Sequence, residues 1–218
     1  SGHVGIICDG SPYATVLPAT FFTMIRTTED EYMRPVYGTL MRLVRMVGLL
    51  CSVLLPALYI ALILYHPGIM PSELINAITE SRRMIPLPVP LELIFMLFVF
   101  QLVKESGMRV PGDMGQALGV VGALVMGQAA VDANIVSTVV LIVVSVTGLG
   151  TYAIPSYVVQ HSVVIFRLIL IFAATMAGLP GIGIALTAIL AYLCSLKSFG
   201  MPIFAPFAPK TNSNSRFF

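Results

Sequence analysis

The chain alternates long apolar stretches with short polar ones, at the length scale of membrane-spanning helices. The first uncharged run covers residues 46–65 and reads MVGLLCSVLLPALYIALILY. Its length, about twenty residues, is what a helix needs to cross a bilayer. A second uncharged run, residues 168–196, is long enough for one tilted span or for a hairpin of two short ones. Lipid is therefore predicted to surround most of this chain.

Shorter apolar stretches lie between these two runs. Residues 91–103 contain Glu92 and Gln101 and predict either a span that begins near Met84 or a re-entrant element. The string GLPGIG, from 178 to 183, interrupts the second long run and predicts a membrane turn or a broken helix. The fold class is thus all-α: a polytopic helical membrane bundle of about four to six embedded segments, some broken or re-entrant.

Polar residues divide the chain into three parts. Residues 1–43 are interpreted as the end of a soluble N-terminal domain with a juxtamembrane segment, because a β-branched strand at 4–8 is followed by a turn. Residues 44–205 form the transmembrane domain, and 206–218 form a polar tail. The chain starts at Ser1 without a signal peptide, so it is interpreted as the interior of a longer protein.

Arginines are distributed unequally around the first run. Those before it are Arg26, Arg34, Arg42 and Arg45, and those in the loop after it are Arg82 and Arg83. Cytoplasmic segments carry the excess of Lys and Arg, so residues 1–45 are predicted to be cytoplasmic.

Composition narrows the classes of function. Hydrophobic residues make up 57% of the chain and charged residues 10%, whereas a soluble domain carries about 25% charged residues. The net charge is only +2, and the sequence has no stripe of basic residues that would bind nucleic acid. Cys8, Cys51 and Cys194 are too far apart to form a ligand motif, and the histidines are scattered. No metal, cofactor or catalytic constellation is predicted, and the protein is not expected to be an enzyme.

Small residues recur at every fourth position after residue 114. They are Gly115, Gly119, Ala123 and Gly127. On a helix this spacing forms a smooth seam that lets another helix approach closely. The seam predicts helix packing and does not identify a ligand.

Polar residues follow the seam. Asn134, Thr138 and Ser145 fall within about 40° of one another on a helical wheel, while Gln128 and Asp132 make a second patch. The first stripe is interpreted either as the lining of a water-filled path or as hydrogen bonds to a neighbouring helix.

Glu92 and Asp132 are the acids deepest in apolar sequence. An ionisable group at membrane depth is costly and indicates function unless it lies at the interface. For Glu92, just after Pro90, placement at a helix start is favoured over a functional role. For Asp132 a buried or pore-facing role and an interfacial one both stay open.

Four segments together resemble the GerA family of spore germination proteins, the A subunits of germinant receptors. They are residues 4–35 with VGIICDGSPYATVLPATFF and TTEDEYMRP, 59–96 with HPGIMPSELINAITESRRMIPLPVP, 100–137 with MRVPGDMGQALGVVGALVMGQAAVDANIVS, and 195–209 with SLKSFGMPIFAPFAP. They occur in family order over nearly the whole chain. Gln101 stands where the family commonly has Glu, and Ile203 where Tyr is common.

The resemblance implies the membrane region of a germination-complex subunit in the inner spore membrane. In that family, A subunits oligomerise and release ions when companion subunits sense a nutrient. It therefore implies a homo-oligomer with companion receptor subunits as partners. The polar residues assigned to the ion path are Gln128, Asp132, Asn134 and Thr138. A sporulation-stage homologue of the same family would have the same appearance.

Two other classes of function stay open as alternatives. A secondary transporter would bind its own substrate at a broken helix such as 178–183, and it should show an inverted repeat, which the sequence lacks. A membrane-embedded enzyme would be built on Glu92 and Asp132, but no nucleophile and base converge in a recognisable motif.

Overall fold

The computed structural model describes residues 4–7, 9, 14–17, 20–25, 27, 32, 34–108, 114–198 and 201–204. Within them the chain forms seven α-helices and two short antiparallel strand pairs, so the all-α class is confirmed. The helices are α1 (Phe21–Ile25), α2 (Pro35–Tyr65), α3 (Ser72–Arg82), α4 (Val89–Met108), α5 (Met114–Asp132), α6 (Thr138–Tyr152) and α7 (Tyr157–Ser195). The strand pairs are β1 (Val4–Ile7) with β2 (Ala14–Leu17), and β3 (Lys197–Ser198) with β4 (Met201–Pro202).

Two of the described helices, α2 and α7, are long and apolar enough to cross a membrane. The 31 residues of α2 span about 46 Å, more than the hydrocarbon core of a bilayer. Helix α2 begins at Pro35, where proline fits because the first turn needs no N–H donor, and it continues through the predicted domain boundary at residue 43. The predicted count of four to six embedded segments is not confirmed and stays a prediction.

Helix α7 is broken at Gly178, as the GLPGIG string predicts. Gly178 has φ 64°, a conformation that glycine adopts without a Cβ penalty. A Cβ on Gly181 would collide with the carbonyl oxygen of Ala173, eight residues earlier. Residues eight apart on a straight helix are about 12 Å apart along the axis, so the chain turns sharply here.

The two halves of α7 run in opposite directions beside α2. The first half starts just after α6, whose end packs on Gly48, and Gly178 packs on Tyr65 at the far end of α2. After α7 ends, Ile203 accepts a hydrogen bond from Phe21 N (2.8 Å), and α1 contacts α2 through Arg45. Both ends of α7 therefore lie near Arg45 and Gly48, in the first half of α2, which makes α7 a helical hairpin.

Helices α2 and α6 cross at a point without bulky side chains. A Cβ on Gly150 would lie inside contact distance of the carbonyl oxygen of Gly48, and a Cβ on Gly48 would be 3.1 Å from that of Ala153. Beside the glycines, Ser52 Oγ and Thr151 Oγ1 are 2.8 Å apart. Since Thr151 donates its own proton to Thr147 O, Ser52 is the donor. Backbone contact thus joins α2 and α6.

One apolar core joins α2, α4, α6 and the two halves of α7. Its fully enclosed side chains include Ile60, Leu93, Val140, Val144, Leu170 and Ile171. Helix α5 packs mainly along α4, at the side of this core.

Candidate functional site

The predicted polar positions meet at the turn between α5 and α6. Asn134 lies in this turn with φ 55°, a left-handed conformation that Asn tolerates better than most residues. The N–H groups of Ile135 and Val136 both donate to Ala130 O, which ends α5. The wheel that placed Asn134, Thr138 and Ser145 on one continuous helix is therefore wrong, because α5 ends at Asp132 and α6 begins at Thr138.

Glu92 holds this turn from inside the bundle. It lies in the first turn of α4 and is completely buried. Its Oε1 accepts hydrogen bonds from Ser137 N and Ser137 Oγ, both at 2.6 Å. Ser137 is the N-cap of α6 and accepts from Val140 N at 3.3 Å. One carboxylate thus fixes the start of α6 to the start of α4 by charge-assisted hydrogen bonds.

Two further polar side chains surround the second oxygen of Glu92. Arg82 Nη2, at the end of α3, is 3.5 Å from Glu92 Oε2 and donates to Leu87 O at 3.1 Å. The Tyr59 hydroxyl of α2 lies close to Glu92, Arg82 and Ser137 without a well-formed hydrogen bond. Four segments of the chain therefore converge on one buried carboxylate, and we call Tyr59, Arg82, Glu92 and Ser137 the Glu92 junction.

Some polar atoms of the junction have no hydrogen-bond partner among the described residues. They are Tyr59 Oη, Glu92 Oε2 and Arg82 Nε, all of them buried. The charge of Glu92 Oε2 is opposed by Arg82, and polar groups are costly to bury without such compensation. Loss of any one partner in the junction should therefore affect stability strongly.

The four residues assigned to the ion path lie on the outer side of the same turn. Gln128, Asp132, Asn134 and Thr138 are all exposed. Gln128 Nε2 donates to Asp132 Oδ1 at 3.2 Å, as their four-residue spacing on α5 permits. The structure therefore brings these residues together around one turn, with the Glu92 junction directly behind them.

The structure separates the two acids that lie deepest in apolar sequence. Glu92 is at a helix start, as favoured, and it is enclosed by protein. Asp132 is exposed in this chain, so a pore-facing role and an interfacial one both stay predictions. Sequence reasoning also missed Arg82 and Ser137 as partners, although Ser137 before an apolar run carries a readable N-cap signal.

The small-residue seam on α5 faces other helices of the same chain. A Cβ on Gly119 would be 3.6 Å from the Tyr152 hydroxyl, and one on Gly127 would be 2.6 Å from Leu141 Cδ1. Gly115 is in α5 and Ala123 is half-buried. Close approach at Gly119 and Gly127 is therefore used within the chain, and a role of the seam between copies stays a prediction.

A second buried charge on α4 holds the other end of α6. Lys104 Nζ donates to Gln160 Oε1 at 2.7 Å, and Gln160 Nε2 donates to Ile154 O at 2.6 Å. Gln160 in turn ties the start of α7 to the segment that follows α6. Lys104 itself lies in the last turns of α4 and is buried.

The break at Gly178 is occupied by the chain itself. The Tyr65 ring packs on Gly178, and the Tyr65 hydroxyl donates to Thr175 O at 2.7 Å. A transporter of the broken-helix type uses such freed backbone groups for its substrate. Here the Tyr65 side chain covers the break instead. Within the described residues no group of three His, Cys, Asp or Glu side chains is arranged to hold a metal ion.

The described residues contain two long apolar helices, one of them a broken hairpin, and a buried carboxylate behind a polar turn. These features define the class of the protein as all-α with membrane-type helices. The sequence pattern of the Bacillus/Clostridium GerA spore germination protein family matches residues 1–218. The chain therefore belongs to the GerA family, and the resemblance seen in the sequence is confirmed.

Individual relatives agree with this assignment. The chain is 40% identical to the spore germination protein GerLA of Bacillus cereus over 208 residues, covering 95% of this chain and 42% of the relative. It is 38% identical to the spore germination protein B1 of Bacillus subtilis (strain 168) over 205 residues, which cover 94% of this chain and 42% of that relative. It is 36% identical to the uncharacterized membrane protein YfkQ of the same strain, over 95% of this chain and 40% of that relative. The chain thus spans about two fifths of the length of these relatives, and no solved structure matches it.

Proposed function

We propose that this chain is the membrane region of a spore germination complex subunit in the inner spore membrane, and that its α5–α6 turn lies on an ion-release path. The observation that carries the proposal is the exposed polar turn anchored by a buried carboxylate. Membership of the GerA family supports the germination role. A nutrient signal from companion receptor subunits would move the turn through the Glu92 junction.

The outer face of α5 supports an arrangement in which several copies share the path. Val121, Leu124 and Val125 are 57%, 70% and 60% exposed. Leu124, Gln128 and Asp132 follow one another at four-residue spacing, so they lie along one face of the helix. If copies of the chain meet along this face, their apolar parts pack together and their Gln128 and Asp132 side chains line a common centre.

Lipid contact is supported by the surfaces of α2 and α7. Large apolar side chains stay exposed along both helices, among them Leu43, Val47, Leu50, Ile165, Phe172 and Met176. A surface of this kind is unstable in water and is typical of a face covered by membrane. We propose a multi-pass topology, with both α2 and the α7 hairpin embedded in the bilayer.

Asp132 is the first test of the path. Asp132→Asn keeps the shape of the side chain and its hydrogen-bond acceptor while removing the charge. We expect nutrient-triggered ion release from spores to fall about tenfold, because a carboxylate at a path attracts and partly dehydrates cations. Release is measured with ion-selective electrodes, and subunit abundance in spore membranes by immunoblotting.

Glu73→Gln is the matched control, since Glu73 is an exposed acid in the first turn of α3, away from the turn. It should leave ion release unchanged. Wild-type release from Asp132→Asn spores with normal subunit abundance would contradict the path role and place Asp132 at a passive interface.

Topology gives a second test. We expect residues 1–45 and 205–218 on the same side of the membrane, because Phe21 stacks on Phe204 with ring centroids 5.1 Å apart, and basic residues flank both ends of the apolar domain. Single cysteines replacing Thr28 and Ser213 are introduced after Cys8, Cys51 and Cys194 are changed to Ser. Both should react with a membrane-impermeant thiol reagent from the same side; labelling from opposite sides rules the topology out.

A further inference from the structure

Two basic side chains are buried near one another at the end of α4 away from Glu92. Lys104 exposes 5% of its surface and Arg167, in the first half of α7, exposes 3%. They are close enough for their positive charges to oppose each other. Neither belongs to the Glu92 junction or to the polar turn.

The partners of Lys104 are uncharged, apart from its sequence neighbour. Its ammonium donates to Gln160 Oε1 and lies 5.3 Å from the centre of the Tyr152 ring. Glu105 also attracts Lys104, but it is only half-buried. An amide oxygen and an aromatic face hold the ammonium in place without neutralising it.

The buried charge of Arg167 has fewer compensating partners than that of Lys104. Its Nε is sealed from solvent and has no hydrogen-bond partner among the described residues. Gln160 and Arg167 are seven residues apart, two turns along one face of α7. Helical side chains lean toward the N-terminus of their helix, and for Arg167 this is the direction of Gln160 and Lys104.

Such an arrangement is unfavourable as it stands. An enclosed cation is strongly unfavourable unless a counter-charge and hydrogen bonds compensate it, and buried charges in proteins are as a rule paired. Here two like charges lie near one another, and Nε of the more deeply buried one has no acceptor among the described residues. An anion with oxygen acceptors would supply both a counter-charge and hydrogen bonds.

We propose that Lys104 and Arg167 form a binding site for an oxyanion of the phosphate class. The planar guanidinium binds two phosphate oxygens at once, and the Lys104 ammonium adds a point charge beside them. Gln160 keeps Lys104 pointing at the site. Free phosphate and the headgroup of an anionic phospholipid carry the same group, so either source fills the site.

Ligand-dependent stability tests the site in the full-length protein, purified in neutral detergent. Sodium phosphate, compared with sodium chloride at equal ionic strength, should raise the Tm measured by circular dichroism by about 2–4 °C. Arg167→Leu should raise the Tm without phosphate, because it removes an unpaired buried charge, and it should abolish the phosphate shift. Arg83→Gln, which alters an exposed arginine, should keep the shift.

Lipid discs separate the two sources. If the headgroup is the ligand, the Tm is higher in phosphatidylglycerol discs than in phosphatidylcholine discs, the difference is lost in Arg167→Leu, and sodium phosphate has no effect. If the free anion is the ligand, sodium phosphate itself raises the Tm. The site is overturned if neither raises the Tm of the wild type, or if Arg167→Leu keeps the shift. Should Arg167→Leu fail to fold, Lys104→Met takes its place, and equilibrium dialysis of the wild type with radiolabelled phosphate must show binding.

Discussion

Glu92→Ala is expected to lower the free energy of unfolding by about 3–5 kcal/mol and to abolish the germination response. The substitution leaves Ser137 N, Ser137 Oγ and Arg82 without their acceptor in a buried site. Unpaired buried donors and an uncompensated buried charge are among the few causes of so large a loss. Thermal unfolding of the purified protein measures the stability, and spore germination assays measure the response.

Two variants separate the charge of Glu92 from its hydrogen bonds. Glu92→Gln keeps an oxygen acceptor for Ser137 and loses the charge beside Arg82, so the stability loss should be about half as large. Glu80→Gln removes an exposed acid that is 3.8 Å from Arg83, and such pairs contribute at most about 1 kcal/mol. Equal losses in Glu92→Ala and Glu80→Gln would mean that the Glu92 junction does not hold the turn.

Gly150→Val is also expected to destabilise the protein strongly, because it drives α2 and α6 apart. The new Cβ would collide with the backbone oxygen of Gly48 and lie 3.3 Å from Ser52 Cβ. A backbone atom cannot rotate away as a side chain can, so the crossing itself must shift and lose the Ser52–Thr151 hydrogen bond. Overpacking of this kind costs about 1–3 kcal/mol or more, and membrane insertion should be normal while thermal stability drops.

A glycine with open surroundings is the control for this prediction. Gly183, in the second half of α7, has no atom within 4 Å of an added Cβ. Gly183→Ala should be neutral or stabilising, since Ala is the better helix former by about 1 kcal/mol, whereas Gly150→Ala should already destabilise. If Gly150→Val unfolds at the wild-type temperature, the helices do not cross in backbone contact.

Local pattern was enough to predict the two long apolar helices and the break in the second. Uncharged runs located α2 and α7, and the glycine and proline string located the break at Gly178, because hydropathy and conformational preference are properties of consecutive residues. Spacing also placed Gln128 and Asp132 side by side on α5, since neighbours four apart on a helix share a face. The family followed from ordered motifs over most of the chain.

Which polar side chains are buried, and which groups they bond to, depended on contacts between residues far apart in sequence. Nothing near Glu92 indicates that Ser137, forty-five residues later, supplies both of its close donors. Likewise, nothing near Lys104 indicates that its ammonium is buried or that Gln160, fifty-six residues later, accepts its hydrogen bond.

Thus the sequence alone determined which segments are apolar helices, where the chain breaks and which family it belongs to. Only the tertiary structure decided that Glu92 is enclosed and Asp132 exposed, and that Gly48 and Gly150 bring two backbones together. It also decided that Nε of Arg167 is buried without a hydrogen-bond partner among the described residues. The physical reason is that helix formation follows local spacing, whereas the energy of a charge depends on whichever distant groups the fold places around it.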